Sequence, residues 1–164
     1  MPLLVTLLLL AAPGWAPSME GTWRHAGGEA ELQGVTDAVD RTVNSMAAPM
    51  RPFARKRMHR TINAVGVYAI ALDGDVLRIA KDGTEPRPVH LDGATRDEVG
   101  GDGKTAQVRA DLLDDGVRHH WTRDDSTGST SFRLADGGAR LVVERVIDSS
   151  WFNEPVRFTT TYRR

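Results

Sequence analysis

Six Asp-Gly dipeptides punctuate the chain after residue 72: Asp73-Gly74, Asp82-Gly83, Asp92-Gly93, Asp102-Gly103, Asp115-Gly116 and Asp136-Gly137. Both residues tolerate positive φ, so the pair suits the type I′ turn, whose twist matches that of two antiparallel strands. The first four follow one another at steps of nine or ten residues. That interval leaves room for a strand of about seven or eight residues between turns, the rhythm of an antiparallel meander. Few other features constrain the fold so tightly. A chain turned this often has no space for long helices in that region, and a meander this long must deal with its own edges. Closure into a barrel removes them.

Two further breaks, Asp124 to Gly128 and Ser149 to Pro155, divide the region into nine candidate strands, at 64–72, 75–81, 84–91, 94–100, 104–114, 117–124, 129–135, 139–148 and 156–163. Several alternate cleanly, with Val108, Ala110 and Leu112 on one face, as are Val156, Phe158, Thr160 and Tyr162, which places one face on a core. The segment 94–100 is the most polar. A tenth strand fits Glu20 to His25. Between it and the meander, Leu32, Val35, Val39, Val43 and Met46 recur at helical spacing. Pro49 and Pro52 then interrupt, and Phe53 to Arg60 suits a second short helix with Pro52 in its first turn. The expected fold is all-β: an antiparallel up-and-down β-barrel of about 8–10 strands, with a helical insertion over 29–60 inside a single domain at 19–164.

The remaining numbers bound function more than fold. The 164 residues carry a net charge of −1, so no global field favours nucleic acid or an anionic membrane. There is no cysteine, which excludes thiol catalysis, disulfides and thiolate metal sites. Basic residues are mostly Arg, and Ala, Gly, Asp and Val are abundant, the codon usage of a GC-rich bacterial genome. Leu3 to Ala12 is an unbroken apolar run followed by small residues. It is too short to span a bilayer as a helix and fits the core of a signal peptide over 1–16. Export to the periplasm or the extracellular space is expected, with cleavage between Ala12 and Ser18.

Gly21-Thr22-Trp23 at the start of the first strand resembles the Gly-x-Trp signature of the calycin superfamily, which includes lipocalins and fatty-acid-binding proteins. The helix pair between strands one and two, followed by about nine meander strands, is similar to the fatty-acid-binding branch. The resemblance implies a barrel whose end is closed by Gly21 and Trp23, with an Arg from the last strand packed across the ring, and Arg163 and Arg164 are available for that place. Independently of the resemblance, barrels of this size commonly enclose one ligand, with a few polar groups fixing its orientation. The branch's Arg-x-Tyr anchor is reversed here, as Tyr162-Arg163-Arg164, so that chemistry does not carry over.

No catalytic set is visible, and an enzyme is not expected. Gly103-Lys104-Thr105 lacks the upstream Gly and the following helix of a phosphate loop. His119 and His120 are neighbours on a strand and point to opposite faces, so they cannot chelate one metal. No Gly-x-Ser-x-Gly elbow occurs. Asp114-Asp115 and Asp124-Asp125 sit in turns, where carboxylates cap or face water. No cofactor or metal is expected. Candidate ligand-binding residues are those that alternation places inside a barrel. In 139–148, Leu141, Val143, Arg145 and Ile147 share the more apolar face. Arg145 pointing inward is costly unless paired, hydrated or awaiting an anion. His119, Trp121, Arg123 and Tyr162 are its candidate partners on nearby strands. Arg51, Arg55, Lys56, Arg57 and Arg60 form a basic cluster, compatible with a solvated helix face or with a docking patch for anionic lipid or an acidic partner. The expected function is a non-enzymatic exported carrier or sensor of a small apolar or amphipathic ligand. The alternative is a protein-binding or inhibitory barrel with a filled interior. Nucleic acid is not an expected partner, and a monomer is expected.

Overall fold

The computed structural model describes residues 12–100 and 102–164. The apolar run Leu3 to Ala12 therefore lies almost wholly outside the described residues. The chain order is α1 (Ala16–Met19), β1 (Gly21–His25), α2 (Gly28–Ser45), a 3-10 turn (Ala48–Met50), α3 (Arg51–Thr61), then β2 (Val67–Asp73), β3 (Val76–Lys81), β4 (Arg87–His90), β5 (Arg96–Val99), β6 (Thr105–Leu113), β7 (Gly116–Arg123), β8 (Ser126–Ala135), β9 (Arg140–Ser149) and β10 (Val156–Arg163). All ten strands form one antiparallel sheet, ordered β4-β3-β2-β1-β10-β9-β8-β7-β6-β5. Consecutive strands pair, save β4 with β5, and β1 also joins β10, which curls the sheet back on itself.

The ladder does not close. The two edges are the consecutive strands β4 and β5, and among the described residues no ladder joins them. Both are four residues long. Pro88 in β4 has no N–H to offer, which suits an edge strand, and β5 reads Arg-Asp-Glu-Val. The seam is bridged instead by Arg87, whose Nη1 donates to the Val99 carbonyl at 2.9 Å, and by Val89 and Leu91, buried in the same core as Ala110.

The Asp-Gly turns are of two kinds. Asp82 and Gly83 both have positive φ, 47° and 75°, as do Asp136 and Gly137 at 52° and 65°. At Asp73-Gly74 and Asp115-Gly116 the tight loop is displaced by one residue. The pairs Asp73↔Val76, Leu113↔Gly116 and Arg123↔Ser126 leave Gly74-Asp75, Asp114-Asp115 and Asp124-Asp125 as the loops. β8 consequently begins at Ser126, three residues earlier than its alternation suggests.

One end of the barrel is solid. Trp23, Tyr68, Tyr162, Leu141, Val117 and Val143 have no exposed surface. α1 lies against this core, with Ala16 and Met19 fully buried. The Trp23 indole N–H donates to the Met19 carbonyl at 2.8 Å, and that of Trp15 to the Leu113 carbonyl at 3.0 Å. Over the Trp23 ring lies the Arg164 guanidinium, 4.5 Å from the centroid, in a cation–π stack. Its Nη2 also donates to the Ser18 carbonyl, and to that of Glu20 at 3.2 Å. Gly21 takes φ 129°, and a Cβ there would come within 3.5 Å of Arg164 Nε; only a residue without a Cβ enters that conformation without strain.

The helix pair covers another part of the sheet. Val35, Val39, Val43 and Met46 of α2 and its C-cap meet Ala54 and Met58 of α3, with Val156 and Phe158 of β10 beneath. Leu32, the first residue of the periodic stripe, is instead 39% exposed. Its neighbour Glu31 ties α2 to the sheet, its carboxylate accepting from the Thr161 amide at 2.7 Å, the Thr161 hydroxyl at 2.6 Å and the His25 ring at 3.2 Å.

Candidate functional site

Cross-strand register stacks the inward side chains into rows. Val117, Phe132, Val143 and Thr160 face one another across β7 to β10, and all are buried. The next row is Ala110, His119, Thr130, Arg145 and Phe158, and the third is Val108, Trp121, Gly128, Ile147 and Val156. Between the second and third rows the interior opens into a cavity of about 230 Å³, which also reaches the edge strands β4 and β5. Its apolar wall is Ile79, Val89, Val108, Trp121 and Phe132, and its polar groups are Lys81, Arg87, Glu98, His119, Thr130 and Arg145.

Trp121 fits because its cross-strand partner is Gly128. A Cβ at Gly128 would lie 2.5 Å from the indole, so the glycine lets the ring lie flat against β8. Lys81 is brought inward by alternation along β3, where Leu77 and Ile79 precede it on the same face and Tyr68 stands opposite. Lys81 lines the cavity and is itself exposed, the sheet packing around its stem while its end meets open space. Burial, reinforced by nearby Arg145, pushes its ammonium down to about 8. Arg145 Nη1 donates to the Asn63 carbonyl at 3.3 Å, and its guanidinium lies 5.5 Å from the Phe158 ring centroid. Among the described residues neither Lys81 nor Arg145 has a carboxylate within ion-pair distance.

His119 is pushed down to about 4, first by burial and then by Lys81 and His120, so it is neutral at physiological pH. Its Nε2 is buried without a hydrogen-bond partner, as is the Tyr68 hydroxyl. Burial also raises the Tyr68 and Tyr162 phenols above their ordinary range. The site offers cations and neutral donors to an anion beside an apolar wall, with no nucleophile set beside a base. No group of three or more potential metal ligands occurs among the described residues.

The residues nominated from the sequence divide. Arg145, His119 and Trp121 line the cavity. Arg123 does not, because it lies further along β7 at the rim, where Nη1 bonds the Asp102 carboxylate at 2.7 Å. Tyr162 belongs to the solid end, its hydroxyl donating to the Val65 carbonyl at 2.9 Å. Of the two C-terminal arginines, Arg164 covers Trp23, while Arg163 is exposed and pairs in register with Arg24 and Arg140. In the basic cluster, Arg51 donates to the Met46 carbonyl and Arg55 to Asp40 and Asn44, whereas Lys56, Arg57 and Arg60 are exposed. Arg57 borders an outer groove of about 330 Å³, between α3 and the loops before β8 and β10, with Phe53 and Trp151 on its walls. Lys81 was not nominated.

No protein-family model matches the chain, and no curated protein sequence matches it. Solved structures do. A fatty-acid-binding protein of Schistosoma mansoni in complex with arachidonic acid superposes with a TM-score of 0.56 at 12% identity, over 92% of this chain and 98% of that one. The fluorescent protein UnaG gives 0.55 at 16% identity, over 91% and 98%, and lipid binding protein 8 of Caenorhabditis elegans gives 0.55 at 11%, over 90% and 96%. At such identities the likeness is one of fold. The chain shares the fold of these structures, with ten antiparallel strands and a helix pair between the first and second.

Proposed function

We propose that the protein is a non-enzymatic carrier or sensor of a small amphipathic anion held inside the barrel. The observation that carries this reading is the pair Lys81 and Arg145, two cavity-lining cations without a carboxylate within ion-pair distance, beside a largely apolar wall. An uncompensated buried charge is expensive. A ligand that brings the opposite charge relieves that cost, and its chain gains burial against Trp121, Phe132 and Val108. Arg145 supplies a planar fork for an oxyanion, Lys81 a point charge, and neutral His119 a further donor. The Schistosoma protein, a fatty-acid-binding protein in complex with arachidonic acid, supports the same reading. Native mass spectrometry of protein purified from its own host tests it. The expected result is a retained small molecule that is an acid. Bare protein that also takes up no short- or medium-chain acid in calorimetry overturns it.

The carrier acts after export. Within the window Ala12 to Ser18, a cut at the early edge leaves Trp15, Ala16 and Met19 in place against the core, whereas a late cut strips Trp15 and Ala16 from it. Cleavage near Ala12 is therefore the version of this proposal that N-terminal sequencing of the mature protein checks. Phe53 and Trp151 are 71% and 62% exposed beside Arg57, a combination that favours docking of α3 on an anionic lipid surface.

A further inference from the structure

We infer that the head-group end of the chamber takes a dianion, with a phosphate monoester as the fitting chemistry, in place of a single carboxylate. This rests on the reading above that the chamber holds an anionic amphiphile. The argument is one of charge count by position. Four ionised groups line the cavity: Lys81, Arg87, Arg145 and Glu98. Glu98 stands on β5, where burial raises its carboxyl above the ordinary value against the opposing pull of His90, Arg87 and Arg96. Its single negative charge offsets one of the three cations and leaves two positive charges in the cavity lining. Asp82, next in sequence to Lys81, spends its carboxylate on the Val67 amide at 2.8 Å, in the turn after β3.

Lys81 and Arg145 line the same cavity, and among the described side chains neither has a carboxylate within ion-pair distance. One carboxylate offsets only one of them. A phosphate monoester carries about −1.5 to −2 charges near neutral pH on three acceptor oxygens, enough for a bidentate Arg contact and a Lys contact together. His119 Nε2 is buried without a partner and faces the same cavity, so it can serve a remaining oxygen. The cavity of about 230 Å³ falls below the usual range for drug-sized ligands, roughly 300–1,000 Å³. The acyl or alkyl part held inside is accordingly short.

Calorimetric titration of the full chain with octyl phosphate, octyl sulfate and octanoate separates charge from shape. The sulfate shares the tetrahedral head but carries one charge. The expected order places octyl phosphate about tenfold or more tighter than either monoanion. Lys81→Met should bring octyl phosphate down to the level of octyl sulfate and change the sulfate by less than about threefold. Equal affinity for all three in the wild type overturns the inference, and that comparison stands even if the variant does not fold. A uniform loss across all three in Lys81→Met overturns it too. Octanoate and octyl sulfate binding without a phosphate preference removes the dianion alone, whereas no binding by any of the three removes the carrier reading with it.

Discussion

Two adjacent rows of the same four strands differ in what they enclose. Val117, Phe132, Val143 and Thr160 are all buried, while His119, Thr130 and Arg145, two residues away on β7, β8 and β9, border a cavity whose wall Phe132 also joins. The hydrogen-bond ladder runs through both rows. The difference lies in side-chain chemistry. Branched apolar groups interdigitate to crystal-like density, whereas Arg145 in the second row and Lys81 facing the same cavity have no carboxylate within ion-pair distance among the described residues. Trp23 and its arginine stack seal the first region, and the second opens toward the unlaced seam between β4 and β5. One sheet thus carries a solid end and a hollow end, and adjacent rows of its pleat pass from one to the other.

The largest expected effect breaks the solid end. Trp23→Ala should cost about 3–5 kcal/mol in urea melts, the range for large aromatic deletions in cores. Removing only the stack, Arg164→Ala, should cost about 0.5–2 kcal/mol. A loss below about 1 kcal/mol for the tryptophan would mean that this end is not the keystone. The hollow end should respond with the opposite sign. Lys81→Met removes an uncompensated charge, so the ligand-free protein should melt higher. The sign with pH follows from a folded value of about 8 against the ordinary 10.5. The penalty is fully present below about pH 8 and fades as pH rises toward 10.5, so the gain in melting temperature should shrink over that window. A gain that stays constant up to pH 10.5 would show that the ammonium is not the cause. The smallest effect belongs to the outside of the molecule. Changing Arg55, Lys56 and Arg57 to Ala should leave stability within about 0.5 kcal/mol while weakening binding to anionic vesicles. Wild-type binding should itself fall with salt, because exposed charges are screened over about 10 Å. Vesicle binding that is indifferent to salt would reject the basic face as the docking element.

Most of the fold was legible because turn chemistry is local. Asp82-Gly83 and Asp136-Gly137 adopt the positive φ their composition suits, and the helix pair follows from apolar spacing and Pro52. What sequence alternation supplies is a face, and it is silent about depth. Arg123 shares a face with His119 and Trp121, yet it reaches Asp102 at the rim. Tyr162 points inward, but into the solid layer. The displaced loop at Asp124-Asp125 hid the first three residues of β8, since Ser126, Thr127 and Gly128 carry no apolar signal. Closure was expected from the need to protect edges, but Pro88 and the polar β5 blunt them without a ladder. Two residues were within reach of a stricter reading. Tyr162 inward places Arg163 outward and Arg164 inward again, which selects Arg164 for Trp23. Leu77, Ile79 and Lys81 share a face, but a lysine before a hairpin turn reads as surface unless that alternation is followed to its end.

The central claim is that the hollow end recognises an anion through its cavity-lining cations, and Arg145→Leu tests it most directly. Titration of octanoate into the wild type and the variant, with melting curves for both, separates binding from folding. The account predicts saturable binding to the wild type and a loss of about tenfold or more in Arg145→Leu, with the melting temperature maintained. A variant that binds octanoate as tightly as the wild type, or a wild type that binds none, would contradict it.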